Sequence, residues 1–192
     1  VYDVRSGMAL FVLRDIATNY LNNVIFSADA SVIATAKENV TYLWSGTDGH
    51  LIKKISYEPE GFHPPVDDQI AFSQRGRWLF IVRYGESKIN VYDGKTGEDA
   101  DFSFANTKGN KLATSHDEKD LLVGGRNSLQ VFSIATGELE AEYTNLGNIG
   151  AIGFSPDGGS IVIDSFRLAD FEQDPNGNEE TYHKIIVWDR SI

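Results

Sequence analysis

Short apolar runs separated by polar turns recur along the whole chain. The runs at 78–82, 121–123 and 161–163 are apolar at every position, which is typical of strands that are buried on both faces. Turn residues such as Asp48-Gly49 and Pro156-Asp157-Gly158 stand between the runs, and they favour tight reversals of the chain. The pattern therefore predicts an all-β fold of short antiparallel strands.

Two sequence landmarks repeat in step along the chain. The first is an aromatic residue followed by a glycine five positions later, at Tyr2 and Gly7, Trp44 and Gly49, Tyr92 and Gly97, and Phe132 and Gly137, with a fifth start at Trp188. The second is a Phe-Ser pair before a polar turn, at Phe26-Ser27, Phe72-Ser73 and Phe154-Ser155, with a degenerate copy at Thr114-Ser115. Four short strands with their turns take about 40 residues. Each repeat is therefore predicted to form one four-stranded sheet.

The motifs at 154–158 (FSPDG), 91–97 (VYDGKTG) and 185–189 (IIVWD) resemble those of WD repeats. The resemblance implies a β-propeller of four-stranded blades, with about four to five blades present. Residues 1–192 are expected to form a single domain, with partial blades at 1–20 and 147–192 and full blades at 21–62, 63–105 and 106–146. The incomplete end blades indicate a segment of a larger propeller, completed by further residues or by another chain.

The repeats depart from the family at the turn between the second and third strands. Family members often carry an Asp there and a Gly-His before the first strand, which hydrogen-bond with the Trp and brace the blade. The corresponding turns here read Lys37-Glu38-Asn39, Gly85-Glu86-Ser87 and Arg126-Asn127-Ser128. We therefore expect the bracing network to be absent.

The formal net charge of −11 makes phosphate backbones and anionic lipids unfavourable partners. Neither nucleic acid nor a membrane is expected to bind, although the bases Arg75, Arg77, Arg83 and Lys88 lie close in sequence. The absence of cysteine excludes disulfides and thiol chemistry. Because the chain has no apolar run long enough to span a bilayer, we expect a cytoplasmic location.

Two segments carry the candidate partner-binding residues. The long insertion 166–183 contributes Phe171, Glu172, Asp174 and Tyr182, and the proline-rich connector 57–68 contributes Phe62 and His63. Long loops are often functional, but the insertion also fits a solvated hairpin and Phe62 also fits a cover for a blade edge. The insertion resembles the start of a calcium loop, but position twelve is His183 instead of Glu. No metal or cofactor is predicted.

The predicted function is a non-catalytic protein–protein interaction scaffold, as the WD-repeat resemblance implies. No nucleophile motif is present, so no catalytic residue is assigned. One alternative is a propeller of the translation-initiation-factor type that binds the ribosome or partner factors, because the insertion before 185–189 is similar to theirs. A second is a ligand-binding or enzymatic propeller with a site in the central channel. That site needs polar innermost strands, whereas 24–26, 70–72 and 149–154 are largely apolar.

Overall fold

The computed structural model describes residues 1–14, 23–37, 39–57, 69–83, 86, 88–105, 109–168 and 181–189. All strand pairings whose register the structure describes are antiparallel. The prediction of an all-β fold is confirmed. The strands are β1 (Asn23–Phe26), β2 (Val32–Lys37), β3 (Val40–Ser45), β4 (Leu51–Ser56), β5 (Gln69–Phe72), β6 (Trp78–Val82), β7 (Lys88–Asp93), β8 (Asp99–Ala105), β9 (Gly109–Thr114), β10 (Asp120–Ser133), β11 (Leu139–Phe154), β12 (Ser160–Leu168) and β13 (Thr181–Asp189).

The chain divides into two compact units, Val1–Ser103 and Phe104–Ile192. The first unit holds two four-stranded sheets whose strands follow chain order, β1-β2-β3-β4 and β5-β6-β7-β8. Apolar side chains from the two sheets form one core, in which Leu43, Leu79 and Ile81 are fully buried. Adjacent strands in chain order need only short turns, which is why the meander forms from such short repeats.

The second unit holds one sheet with the order β13-β12-β11-β10-β9. Its long strand β10 folds back on itself. The evidence is a hydrogen bond between residues beside its two ends, in which Ile134 N donates to Lys119 O at 2.7 Å. A straight strand of this length would hold those atoms roughly 45 Å apart. The reversal falls at Arg126 and Asn127, and Asn127 has a φ of 63°. Residues 120–125 and 128–133 therefore act as two strands of a hairpin.

The other long strand, β11, changes partners along its length. Residues 139–144 pair with the second half of β10, and residues 148–154 pair with β12. Asn145 and Gly147 between these halves have φ values of 65° and 80°, and Gly147 N donates to Asn127 Oδ1 at 3.2 Å. The chain thus turns between the halves, and Leu122 of β10 packs in one core with Ile163 of β12.

The first sequence landmark marks a turn that recurs with the same backbone hydrogen bonds. In each copy the glycine N–H donates to the carbonyl oxygen four residues earlier, and the glycine φ lies between 67° and 76°. Such φ values strain any side chain, which explains the fixed glycine. The four bonds join Gly7 to Asp3, Gly49 to Ser45, Gly97 to Asp93 and Gly137 to Ser133.

The second landmark marks another repeated turn, closed by its serine. The serine N–H donates to the carbonyl five residues later, and the serine Oγ accepts from that residue's N–H. The serines Ser27, Ser73 and Ser115 are buried. Three of the four also donate to an aspartate two residues on, namely Ser27 to Asp29, Ser115 to Asp117 and Ser155 to Asp157. The tandem repeat is therefore a repeat of two hydrogen-bonded turns.

Candidate functional site

Most of the predicted partner-binding residues lie outside the described residues, namely Phe62, His63, Phe171, Glu172 and Asp174. The backbone of Tyr182 is described, and it pairs with Arg167 across β12 and β13. The side chain of Tyr182 is not among the parts of the chain that the structure describes. The roles of all six residues therefore stay predictions.

The basic residues considered for a surface patch do not share one environment. Arg83 is buried at 6% exposure, and its Nη1 lies 3.7 Å from Glu86 Oε2. Its Nη2 donates to the Tyr92 hydroxyl at 2.9 Å. Arg77 instead lies on the surface, with its guanidinium 4.5 Å from the Trp78 ring centroid. Arg83 therefore belongs to an internal ion pair, which no local sequence pattern indicates.

The tryptophan of the first sheet has a hydrogen-bond acceptor that the sequence analysis did not predict. Trp44 Nε1 donates to Thr35 Oγ1 at 3.0 Å, and both residues are buried. The bond joins β3 to β2 across the sheet. A buried indole N–H requires an acceptor, and Thr35 supplies it from the middle of the neighbouring strand.

A cleft of about 720 Å³ opens within the second unit. Strands β10, β11, β12 and β13 form its walls. Most of its lining is apolar: Leu122, Val131, Ala141, Tyr143, Ile161, Val187 and Trp188. Volumes of this size suit a small ligand or several side chains of a partner. This cleft is a candidate binding site formed by described residues.

Two aromatic side chains form one wall of the cleft. The rings of Tyr143 from β11 and Trp188 from β13 have centroids 4.8 Å apart. Tyr143 keeps 43% of its surface exposed, although large aromatic residues gain much from burial. In interfaces, Tyr and Trp are the residues that most often dominate binding. The pair therefore places a partly exposed aromatic surface in the wall of the cleft.

The remaining lining residues of the cleft are all acidic: Asp120, Glu140 and Asp189. No Lys or Arg stands among the residues that line it. Carboxylates around an apolar floor favour a cationic or amphipathic partner and disfavour an acidic one. The charge of the cleft thus agrees in sign with the net charge of the chain.

Strand β13 lies at the end of its sheet and, among the described residues, pairs only with β12. Its side chains Ile185 and Val187 are 64% and 63% exposed. An edge strand presents backbone N–H and C=O groups that can pair with a further strand. The cleft therefore combines an apolar floor, an acidic rim and a sheet edge.

The carboxylates of the repeated turns are held ionised by local donors. The Ser31 hydroxyl, its N–H and the Ser27 hydroxyl lower the pKa of Asp29 to about 2. The pKa of Asp48 is also lowered to about 2, by hydrogen bonds from Ser45 and His50. These donors stabilise the charged form of each aspartate, which is why its pKa is lowered.

Neither a metal centre nor a membrane span is found within the described ranges. No three His, Asp or Glu side chains come together there as a set that could hold a metal ion. In the same residues, no helix is long and apolar enough to cross a membrane.

No family model matches the sequence, and no curated protein matches it. In structure, 936 solved chains match, so the architecture is widespread and does not by itself single out an activity. One of them is a chain of Kuenenia stuttgartiensis hydrazine synthase, with a TM-score of 0.70 and 13% sequence identity. The match covers 93% of the present chain and 50% of that chain. At this identity the likeness shows the fold alone: an all-β architecture of antiparallel sheets.

Proposed function

We propose that the chain is a WD-repeat-like β-propeller segment that acts as a non-catalytic scaffold for protein–protein interactions. The cleft bordered by Tyr143 and Trp188 is the observation that carries this proposal. It offers a half-exposed aromatic anchor within an apolar recess, and interface hot spots have this composition. The acidic rim selects partners that carry basic side chains near their apolar contact.

The repeated turns support the propeller part of the proposal. Each serine turn and each glycine turn recurs about every 40 residues, which is the spacing of four-stranded propeller blades. The hairpin within β10 and the turn within β11 allow the sheet of the second unit to be divided into one four-stranded blade and three strands of the next. Propeller blades commonly form rigid platforms for partners.

The proposal is tested by site-specific photo-crosslinking. A benzophenone side chain at position 143 is expected to give discrete adducts in an extract of the source cells, because Tyr143 lies in the cleft. The same group at position 116, where His116 is exposed in a turn of the same unit, is the matched control. Equal adducts from both positions, or none from position 143, would contradict a partner site in the cleft.

A further inference from the structure

We propose that the second serine turn of the chain, residues 73–78, is a docking surface for an acidic segment of another protein. We call residues 73–78 the basic turn, because they include Arg75 and Arg77. The basic turn lies wholly within the first unit. The inference goes beyond the proposed function, since it concerns a second surface and does not depend on the cleft of the second unit.

The basic turn has the same backbone hydrogen bonds as its three counterparts in the repeat. Ser73 N donates to Trp78 O, and Gly76 N donates to Ser73 O, each at 2.8 Å. The same two bonds close the turns that begin at Ser27, Ser115 and Ser155. Because the backbones match, the side chains of the four turns can be compared position by position.

The side chain two residues after the serine sets the basic turn apart. In the other three turns an aspartate stands there and accepts from the serine hydroxyl and from the N–H two residues further on; these are Asp29, Asp117 and Asp157. The basic turn has Arg75 at this position, and a guanidinium cannot accept a hydrogen bond. The basic turn therefore forgoes two local bonds, and such departures from a local rule are common at functional sites.

The charge of the basic turn is opposite to that of its counterparts. Each of the other three turns carries at least one carboxylate, whereas residues 73–77 carry two arginines and no acid. Both arginines are exposed. With a net charge of −11, the chain as a whole repels an acidic partner, and exposed bases that lie together attract one. The forked donors of arginine also match the two oxygens of a carboxylate.

Two aromatic side chains adjoin the arginines. The Arg77 guanidinium lies 4.5 Å from the centroid of the Trp78 ring. The rings of Trp78 and Phe102 have centroids 5.2 Å apart and meet edge to face, and Phe102 is 38% exposed. The contact with Trp78 restrains Arg77 before a partner arrives, which lowers the entropic cost of binding. We therefore expect the partner segment to carry Asp or Glu next to an apolar residue.

A synthetic peptide provides the probe. A short capped peptide that alternates glutamate with leucine and carries a neutral fluorescent dye is titrated with the 192-residue chain at low ionic strength. Fluorescence anisotropy follows the binding. The comparison ligands are the same peptide with glutamine in place of glutamate, and a single-stranded oligothymidylate. The inference predicts saturable binding of the glutamate peptide, weakened by added salt, and at least tenfold weaker binding of the glutamine peptide.

Arg75→Asp gives the basic turn the residue of its counterparts, and it should move two measurements in opposite directions. In urea unfolding the ratio of folded to unfolded chain should rise about fivefold, because the Ser73 hydroxyl and the Arg77 N–H gain an acceptor. Binding of the glutamate peptide should weaken at least tenfold. Lys119→Asp is the matched control, because it changes the net charge by the same amount at an exposed position of the third serine turn. This control should alter binding less than twofold.

Four results would overturn the inference. Absence of saturable binding by the glutamate peptide, or equal binding of the glutamine peptide, rules out recognition of carboxylates. Equal weakening by Arg75→Asp and Lys119→Asp assigns the effect to the overall charge of the chain. Oligothymidylate that binds more tightly than the peptide, and is lost in Arg75→Asp, assigns the surface to nucleic acid. If Arg75→Asp is no more stable than the unchanged chain, the arginine forgoes nothing and the argument from the repeat fails.

Discussion

The buried ion pair of Arg83 and Glu86 gives the sharpest stability prediction. Arg83 is 6% exposed and Glu86 is 11% exposed at the side chain, with 3.7 Å between the charged atoms. Glu86 also accepts a hydrogen bond from Asn90, and the Arg83 guanidinium lies 5.0 Å from the Tyr57 ring centroid. At an effective dielectric constant of 20, two charges at this distance attract by about 4 kcal/mol. Replacing one partner leaves the other charge buried and uncompensated, which costs about 3–5 kcal/mol.

We therefore expect Arg83→Met to lower the free energy of unfolding by about 3 kcal/mol or more. Methionine keeps most of the side-chain length, so the loss reports the charge more than the packing. Adding Glu86→Gln to the Arg83→Met chain removes the carboxylate charge that has lost its partner. The double variant should recover at least about half of the lost free energy of unfolding. Arg77→Met is the matched control; it removes an exposed cation–π contact and should cost less than about 1 kcal/mol.

Equilibrium urea unfolding, followed by tryptophan fluorescence, measures all four proteins. The reasoning is refuted if Arg83→Met unfolds within about 0.5 kcal/mol of the unchanged chain, the range typical of surface substitutions. It is also refuted if the double variant is no more stable than Arg83→Met, since the penalty would then come from lost packing alone.

Three further predictions concern the repeated turns and the first sheet. Ser115→Ala should lower the free energy of unfolding by about 1–3 kcal/mol in urea unfolding, because the buried Oγ accepts from Asp120 N at 2.9 Å; exposed Ser6→Ala should change it by only a few tenths. Thr35→Val leaves the buried Trp44 N–H without its acceptor and should cost about 1–3 kcal/mol, whereas no change in stability would show that the bond is not formed in solution. The pKa of Asp29 is depressed from 3.8 to about 2, so its contribution to stability is full above pH 4 and is lost as the pH falls through 2. Asp29→Asn should flatten the fall in thermal midpoint between pH 4 and pH 2, and an unchanged slope would contradict the assignment.

The repeated turns could be predicted from sequence because their residues are chemically required. Few other residues can replace a glycine at φ near 70° or a serine that closes a turn. The two landmarks therefore recur in step along the sequence and mark the turns between strands. The cleft could not be predicted in this way. Tyr143 and Trp188 meet only because β11 turns at Asn145 and Gly147, and no local pattern shows which residues a turn brings together.

The Arg83 pair shows the same limit. A run of bases reads as a solvated patch in sequence, and only the fold shows that Glu86, Asn90 and Tyr92 surround one of them. The Trp44–Thr35 bond was missed for a different reason. The expected acceptor was an acid in a turn, whereas the acceptor lies in the middle of β2. In both cases the contact depends on which residues face each other on neighbouring strands, and the sequence alone does not show that register.

Amide hydrogen exchange of the free, monomeric chain of 192 residues tests most directly whether β13 lies at the edge of its sheet, as the described strand order places it. The comparison is with β3, a third strand with a neighbour on each side. About half of the amides of an edge strand point away from its single neighbour. We therefore expect alternate amides of β13 to exchange far faster than the central amides of β3. Protection of β13 as uniform as that of β3 would show that its edge is already covered, and would contradict the account.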